Sequence, residues 1–355
     1  MNGPALEVVT FGEVMAMFVA TESGPLERIT NFNRALAGAE TNVAIGLARL
    51  GHRVGWVGRV GADHFGRFAL AELAGNGVNT AAVSLDTEAP TGFQLKSRAD
   101  GGDPEVAYFR KNSAGSRLAP SPATDSYIGA ARHLHVTGIP LALSPSTRAF
   151  TLRAITIARE AGMTVSFDPN LRPGLWASTE EMIRVTNSVA ATADWVLPGL
   201  AEGRLLVGLP DADAEQVARF YLDRGAQRVV VKAAVRGASL HTSAGRWDRP
   251  IFPVEVVDTV GAGDGFAVGL ISAHLDGLPV EAALERAAAI GALATTSSGD
   301  KDGLPDRPAL AAFLADQRLA TKGRAQACAE NQPARPNHES SIEQKEVTSA
   351  VADRT

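Results

Sequence analysis

From about residue 130 onward, short runs of β-branched and apolar residues alternate with stretches whose apolar positions recur every three or four residues. The runs at 133–137, 163–168, 194–197 and 228–232 predict strands, and the periodic stretches at 146–162, 178–191 and 213–225 predict helices. Ser178 and Thr179 ahead of Glu180 and Glu181 mark a helix N-terminus, where acidic groups complement the helix dipole. Strands separated by helices imply βαβ units, hence a mostly parallel sheet with helices on both faces.

The first third keeps this rhythm only in part. Residues 6–11 and 54–57 predict strands, and 40–50 and 65–75 predict helices. The stretches 16–36 and 91–111 break it. Thr91-Gly-Phe-Gln-Leu-Lys96 and Glu105-Val-Ala-Tyr-Phe-Arg110 alternate at period two around the polar turn Asp100-Gly-Gly-Asp103. That pattern predicts an antiparallel hairpin inserted into the α/β body, a small sheet suited to serve as a lid.

Composition narrows the class. The chain has 355 residues, of which 45% are hydrophobic and 21% charged, enough for a substantial core. Lys+Arg 34 against Asp+Glu 39 gives a net charge of −5, without the basic excess of a protein that coats nucleic acid. The single cysteine, Cys328, excludes an intrachain disulfide and a cysteine-rich zinc site. No apolar run approaches the ~20 residues of a membrane helix, and the N-terminus lacks the pattern of a signal peptide. A soluble, cytoplasmic chain acting on a small molecule is expected. Residues 321–355 contain no Phe, Trp or Tyr, so a disordered tail is expected over 320–355, after one folded domain over 6–319.

The strongest chemical signal is Asp258-Thr-Val-Gly-Ala-Gly-Asp-Gly-Phe266, placed between a strand-like stretch at 251–257 and a helix with apolar positions at Phe266, Leu270, Ile271 and Leu275. Gly261, Ala262 and Gly263 at a helix mouth leave amide groups free and approachable, which makes an anion site. Asp264 then stands beside the held anion, where a carboxylate can take a proton from an attacking hydroxyl. The chain has no Gly-Lys dipeptide and therefore no P-loop, and Phe266 stands where the dinucleotide fingerprint needs its third glycine. Phe167-Asp-Pro-Asn-Leu-Arg-Pro173 follows a strand, so Asp168, Asn170 and Arg172 should face a cleft beyond the sheet. Tyr108 and Arg110 share one face of the lid hairpin. Two arginines approaching one pocket suit a carboxylate, which Arg binds through paired charge-assisted hydrogen bonds. His133, His135, Trp56 and Trp195 fit packing roles better than metal binding or stacking.

Residues 258–266 resemble the C-terminal signature of the ribokinase-like (PfkB-type) carbohydrate kinases. Ala37-Gly-Ala-Glu-Thr-Asn-Val-Ala44, followed by Gly58-Arg-Val-Gly-Ala-Asp-His-Phe-Gly66, resembles their N-terminal sugar-binding signature. The resemblance runs from about Val8 to Leu314. It implies a ribokinase-like α/β fold, a central mostly parallel sheet flanked by helices, with a small β-sheet lid from about 14–36 and 90–113. It implies ATP and Mg²⁺, with a monovalent cation left open, Asp264 as base, and the 261–263 amides as the anion hole. The lid and the 167–173 string are similar to the 2-keto-3-deoxygluconate kinase branch. Carried over residue by residue, Gly38, Asn42, Tyr108, Arg110, Arg172 and Asp300 become sugar-acid-binding positions. Lys232, Gly237, Gly261 and Gly263 fall on the nucleotide side, and Glu202 is a water-mediated Mg²⁺ position.

The chain departs from that pattern at four places. Gln94 replaces a frequent tyrosine, and Gly199-Leu-Ala-Glu202 keeps the glutamate of an Asn-x-x-Glu motif but not the asparagine. Ala234 replaces a glycine in the loop Lys232-Ala-Ala-Val-Arg-Gly237, and Ala37 the first glycine of the N-terminal pair. A fructokinase or other neutral-sugar kinase stays open, as does a non-catalytic binding regulator on the same fold. An exposed lid edge predicts a homo-oligomer. No nucleic-acid or membrane partner is expected.

Overall fold

The computed structural model describes residues 6–98 and 104–330. In chain order the strands are β1 (Val8–Phe11), β2 (Met15–Ala20), β3 (Phe32–Ala37), β4 (Val54–Val57), β5 (Arg59–Gly61), β6 (Ser84–Asp86), β7 (Phe93–Lys96) and β8 (Val106–Phe109). They continue with β9 (His133–Thr137), β10 (Thr164–Asp168), β11 (Trp195–Val196), β12 (Arg228–Lys232), β13 (Ala238–Thr242) and β14 (Gly245–Arg249). The helices are α1 (Ala39–Arg49), α2 (His64–Gly75), α3 (Pro122–Ile128), α4 (Ile139–Leu143), α5 (Pro145–Glu160) and α6 (Thr179–Ala190). They end with α7 (Leu200–Val207), α8 (Ala214–Leu222), α9 (Ala262–Leu275), α10 (Val280–Ala294) and α11 (Arg307–Glu330). Each predicted element before residue 230 is present, with ends shifted by a few residues.

The main sheet has the order β14-β13-β12-β11-β10-β9-β1-β4, parallel from β12 to β4 and antiparallel at the β13 and β14 edge. Successive strand residues serve opposite layers, as the pleat requires. Val8, Trp56, Trp195 and Val230 enter a core shared with α1, α9 and α10. Val9, Val57, Val196 and Val229 enter a second core shared with α5, α6 and α8. Full burial of each such side chain stabilises by about 1.5–3 kcal/mol, which is why central strands read as continuous apolar runs. Side-chain caps begin the helices where the sequence places them: Ser178 accepts from the Glu181 amide at 3.1 Å, and Asp213 from the Gln216 amide at 2.8 Å. His133 and His135 are buried, both bonded to the Ser166 hydroxyl, at 2.8 and 2.9 Å.

The two stretches that break the rhythm form one separate sheet, β3-β2-β7-β8. β7 and β8 pair antiparallel, with Gln94 opposite Tyr108, whereas β2 and β7 run parallel. The turn expected at 100–103 lies outside the described residues.

Two expectations need correction. Residues 251–257 form no strand. Pro250 and Pro253 lack the amide that a ladder requires, and Ile251, Val256 and Val257 stay exposed while only Phe252 reaches the core. At the other end the chain divides into units 1–314 and 315–355. The second is helical through Glu330, so residues 320–330, expected to be unstructured, continue α11. They are rich in alanine with Lys, Arg, Gln and Glu, all strong helix formers, which outweighs the lack of aromatic residues. The remaining tail, 331–355, lies outside the described residues.

Candidate active site

Ligand clefts in open α/β sheets lie beyond the C-terminal ends of the strands. Here Glu13 follows β1, Thr137 ends β9, Asp168 ends β10 and Lys232 ends β12. The lid sheet closes over this edge, and between them lies a cavity of ≈ 520 Å³. Gly38, Asn42, Tyr108, Arg110, Arg172, Asp264, Asp300, Lys232, Glu202, Gly261 and Gly263 all line it, so residues far apart in the sequence meet at one place.

Its floor is the mouth of α9. Gly261 caps the helix in the left-handed region, at φ 85°, and a side chain there would come within 2.5 Å of the Asp300 carbonyl oxygen. Glycine is therefore required on both counts. The first-turn amides lack partners four residues back, and Gly261 and Gly263 face the cavity. Ala262 does not line it; its amide turns to the Thr259 carbonyl at 3.4 Å.

Asp264 sits in this first turn and accepts a hydrogen bond from Asn42 Nδ2 at 2.8 Å, across 222 positions of sequence. Burial pushes its carboxyl up to about 7, against the Asn42 hydrogen bond, and the neighbouring Asp168, Glu40 and Asp300 carboxylates add to the rise. A carboxylate tuned to neutrality suits a general base. Asn42 is presented by α1, whose capping residue Gly38 has φ 145°; a side chain on Gly38 would approach the Glu13 carbonyl oxygen to 2.7 Å.

The two arginines differ. Arg172 is exposed to the cavity and donates to the Leu171 carbonyl at 2.9 Å; among the described residues it has no carboxylate partner. Two residues before it, Asn170 takes the left-handed region at φ 38° while its amide donates to Asp168 Oδ1 at 3.2 Å. Arg110 is buried and paired with Glu13 at 2.5 Å. Its Nε has no partner among the described residues, and its guanidinium lies 5.8 Å from the Tyr108 ring centroid. Burial raises the Glu13 carboxyl, opposed by Arg110 and by the Ser113 hydroxyl.

Glu13 and Glu40 also line the cavity, though nothing in their local sequence marks them as site residues. Glu40 is buried, accepts from the Thr137 hydroxyl and is pushed by burial up to about 7. In sequence it looks like an ordinary first-turn acid of α1.

On the opposite side Lys232 Nζ lies 2.6 Å from Asp168 Oδ2. Burial disfavours the Lys232 charge, but Asp168 and Glu202 outweigh it and hold the ammonium above its ordinary range. Both Glu202 oxygens already accept amide protons, from Leu171 at 2.7 Å and Gly199 at 2.9 Å. Among the described residues no three metal-ligating side chains converge. Mg²⁺ usually takes one or two carboxylates and keeps waters and phosphate oxygens, so Glu202 and Asp168 fit a phosphate-borne ion and not a protein cage.

Gly237 does not reach the cavity; it closes the Lys232 loop by donating to the Ala234 carbonyl at 2.9 Å. Ala234 carries φ 47°, which explains why a glycine is usual there. Asp300 lines the cavity but is engaged by Lys96 Nζ at 2.8 Å.

The description "pfkB family carbohydrate kinase" matches residues 5–307, and the chain belongs to that family. It is thus a carbohydrate kinase on a ribokinase-like fold. It is 49% identical over 321 residues to the 2-dehydro-3-deoxygluconokinase of Bacillus subtilis (strain 168), covering 88% of this chain and 97% of that one. An E. coli protein assigned as a ribokinase II, solved with ATP and Mg²⁺, superposes with TM-score 0.80 at 28% identity, over 88% and 99% of the two chains. A double mutant of the fructokinase of Vibrio cholerae O395, solved with fructose, ADP and a potassium ion, gives TM-score 0.75 at 28% identity, over 88% and 100%. Among the described residues no helix is long and apolar enough to cross a membrane.

Proposed function

We propose that this kinase transfers the γ-phosphoryl group of ATP to the terminal C6 hydroxyl of 2-keto-3-deoxygluconate (2-dehydro-3-deoxygluconate), giving 2-keto-3-deoxy-6-phosphogluconate. The observation that carries the substrate is Arg172, a guanidinium without a carboxylate partner among the described residues, lining the cavity that Asp264 also lines. The similarity to the B. subtilis enzyme supports the same choice.

In this reading Arg172 binds the sugar carboxylate, with the free Nε of Arg110 as a further donor, and Tyr108 and Gly38 shape the pocket around the chain of the sugar. Asp264 Oδ takes the hydroxyl proton as the hydroxyl oxygen bonds to phosphorus and the bond from phosphorus to ADP breaks. Charge developing on the phosphoryl oxygens falls on the Gly261 and Gly263 amides at the positive end of α9. Glu202, through a water, would help hold a Mg²⁺ brought with the triphosphate, and that ion would supply neutralisation of phosphate charge. Closure of the lid sheet keeps water from competing with the sugar. We place the activity in the cytoplasm, where ATP is supplied. The exposed Tyr108 and Phe109 on edge strand β8 support a homo-oligomer joined through the lids.

A second reading has a specific observation behind it: Glu13 already neutralises Arg110, which suits a neutral sugar such as fructose. A comparison of kcat/KM for the keto acid and for fructose separates the two. The keto acid should be preferred, and Arg172→Ala should weaken its use about 10–150-fold, the worth of one charge-assisted contact, with little effect on fructose. Fructose used as well as the keto acid sinks the assignment.

A further inference from the structure

Lys96 is among the largest fully buried side chains of the protein, although it stands on a strand of the lid. Its Nζ lies 2.6 Å from Asp258 Oδ2, 2.8 Å from Asp300 Oδ1 and 3.4 Å from the Ser298 carbonyl oxygen. The two carboxylates belong to the loops that frame the mouth of α9. Asp258 opens the glycine loop and holds its turn by accepting from the Val260 amide at 3.0 Å. Asp300 packs its backbone against Gly261. Without a cation between them, two buried carboxylates would face each other beside the anion site, uncompensated and strongly unfavourable. Burial disfavours the Lys96 charge, but Asp300 and Asp258 more than restore it.

Carboxylate and carbonyl oxygens are also the ligands that a dehydrated potassium ion takes. The V. cholerae fructokinase structure contains such an ion. In this chain these oxygens already surround an ammonium group, so a monovalent cation does not fit among them. We infer that Lys96 is a built-in monovalent cation: it fixes the Asp258 and Asp300 loops around the anion hole, ties the lid sheet to them, and makes the kinase independent of added potassium. Lys96 acts here as a positioning residue, through the loops and not on the reacting atoms. The inference rests on the phosphotransferase activity of the family and is indifferent to which sugar is the acceptor.

The test compares the full-length wild type and Lys96→Ala in potassium chloride and in tetramethylammonium chloride at equal ionic strength. Sugar-dependent ADP release, with keto acid or fructose, whichever is turned over, and the melting temperature are both read. For the wild type, kcat/KM should agree within about twofold between the salts once screening is matched, and Tm should not differ. Lys96→Ala should lose at least about tenfold in tetramethylammonium, where its carboxylates are uncompensated, and regain rate and Tm together in potassium or ammonium. A wild-type rate several-fold higher in potassium overturns the inference, as does a Lys96→Ala protein whose rate and Tm ignore the cation. Should Lys96→Ala fail to fold, the wild-type comparison decides alone. Loss of keto-acid preference would leave that comparison intact.

Discussion

The hydrogen bond from Asn42 to Asp264 offers a direct test of the base, because it should set the pH at which the enzyme turns on. The Asp264 carboxyl is raised to about 7 by burial, and the 2.8 Å bond from Asn42 Nδ2 is the largest influence opposing that rise. If Asp264 must be ionised to accept the hydroxyl proton, kcat/KM should climb with pH through an acid limb near 7. Asn42→Ala removes a hydrogen bond to the charged form, worth about 1.5–3 kcal/mol. At 1.36 kcal/mol per pKa unit, the limb should move up by about one to two units. The ionised fraction at pH 7 then falls from roughly half to between about 1 and 10%, so kcat/KM at that pH drops roughly 5–50-fold. At high pH most of the difference should vanish. A coupled assay of ADP release from pH 5.5 to pH 9.5 (about four units, enough to span both limbs), with circular dichroism to confirm the fold, makes the measurement. A variant equally slow at every pH, with its acid limb unmoved, would show that Asn42 serves the sugar alone and that the limb does not belong to Asp264.

Asp264→Asn should lower turnover by about 10²–10⁴-fold, the usual worth of a general base. The same change should raise stability: the folded carboxyl titrates near 7 and the unfolded one near 3.8, so the wild type carries an ionisation penalty that grows as pH rises between those values. Melting curves should therefore show Asp264→Asn above the wild type at pH 8, with the gap closing toward pH 4. Equal Tm values at both ends would remove the burial argument. Ala234→Gly should stabilise by about 1 kcal/mol, because Ala234 is held at φ 47°, where a Cβ costs roughly 1–2 kcal/mol and glycine returns part of that as chain entropy. Urea denaturation measures it, and a destabilised variant would mean that the Ala234 methyl packs more than it strains.

Much of the molecule is written in local pattern. Period-two runs and helix-period stretches locate the strands and helices because each strand must supply two layers and each helix one stripe. The glycine-opened mouth of α9 and its acidic first turn are likewise legible, since helix ends expose amides wherever they occur. Prolines at 250 and 253 and the alanine-rich 320–330 are local signals too, and they prevail over the β-branched residues beside the first and the lack of aromatic residues in the second.

What no stretch of sequence contains is the company a charged group keeps once the chain closes. Lys96 in a half-polar hairpin looks solvent-facing, and only the lid's position against the 258 and 300 loops makes it a buried cation. Arg110 looks like a free ligand for a carboxylate until Glu13, almost a hundred residues earlier, is brought against it. Glu202 looks like a mobile acid in sequence, and only the fold shows that the Leu171 and Gly199 amides hold both its oxygens in place, leaving it to act on Mg²⁺ through water. Backbone preference acts over a few residues, so sequence alone determined the elements and the helix mouth. Charge pairing and desolvation act through space, so which ionised groups meet, and which remain free for a substrate, was decided only by the tertiary fold.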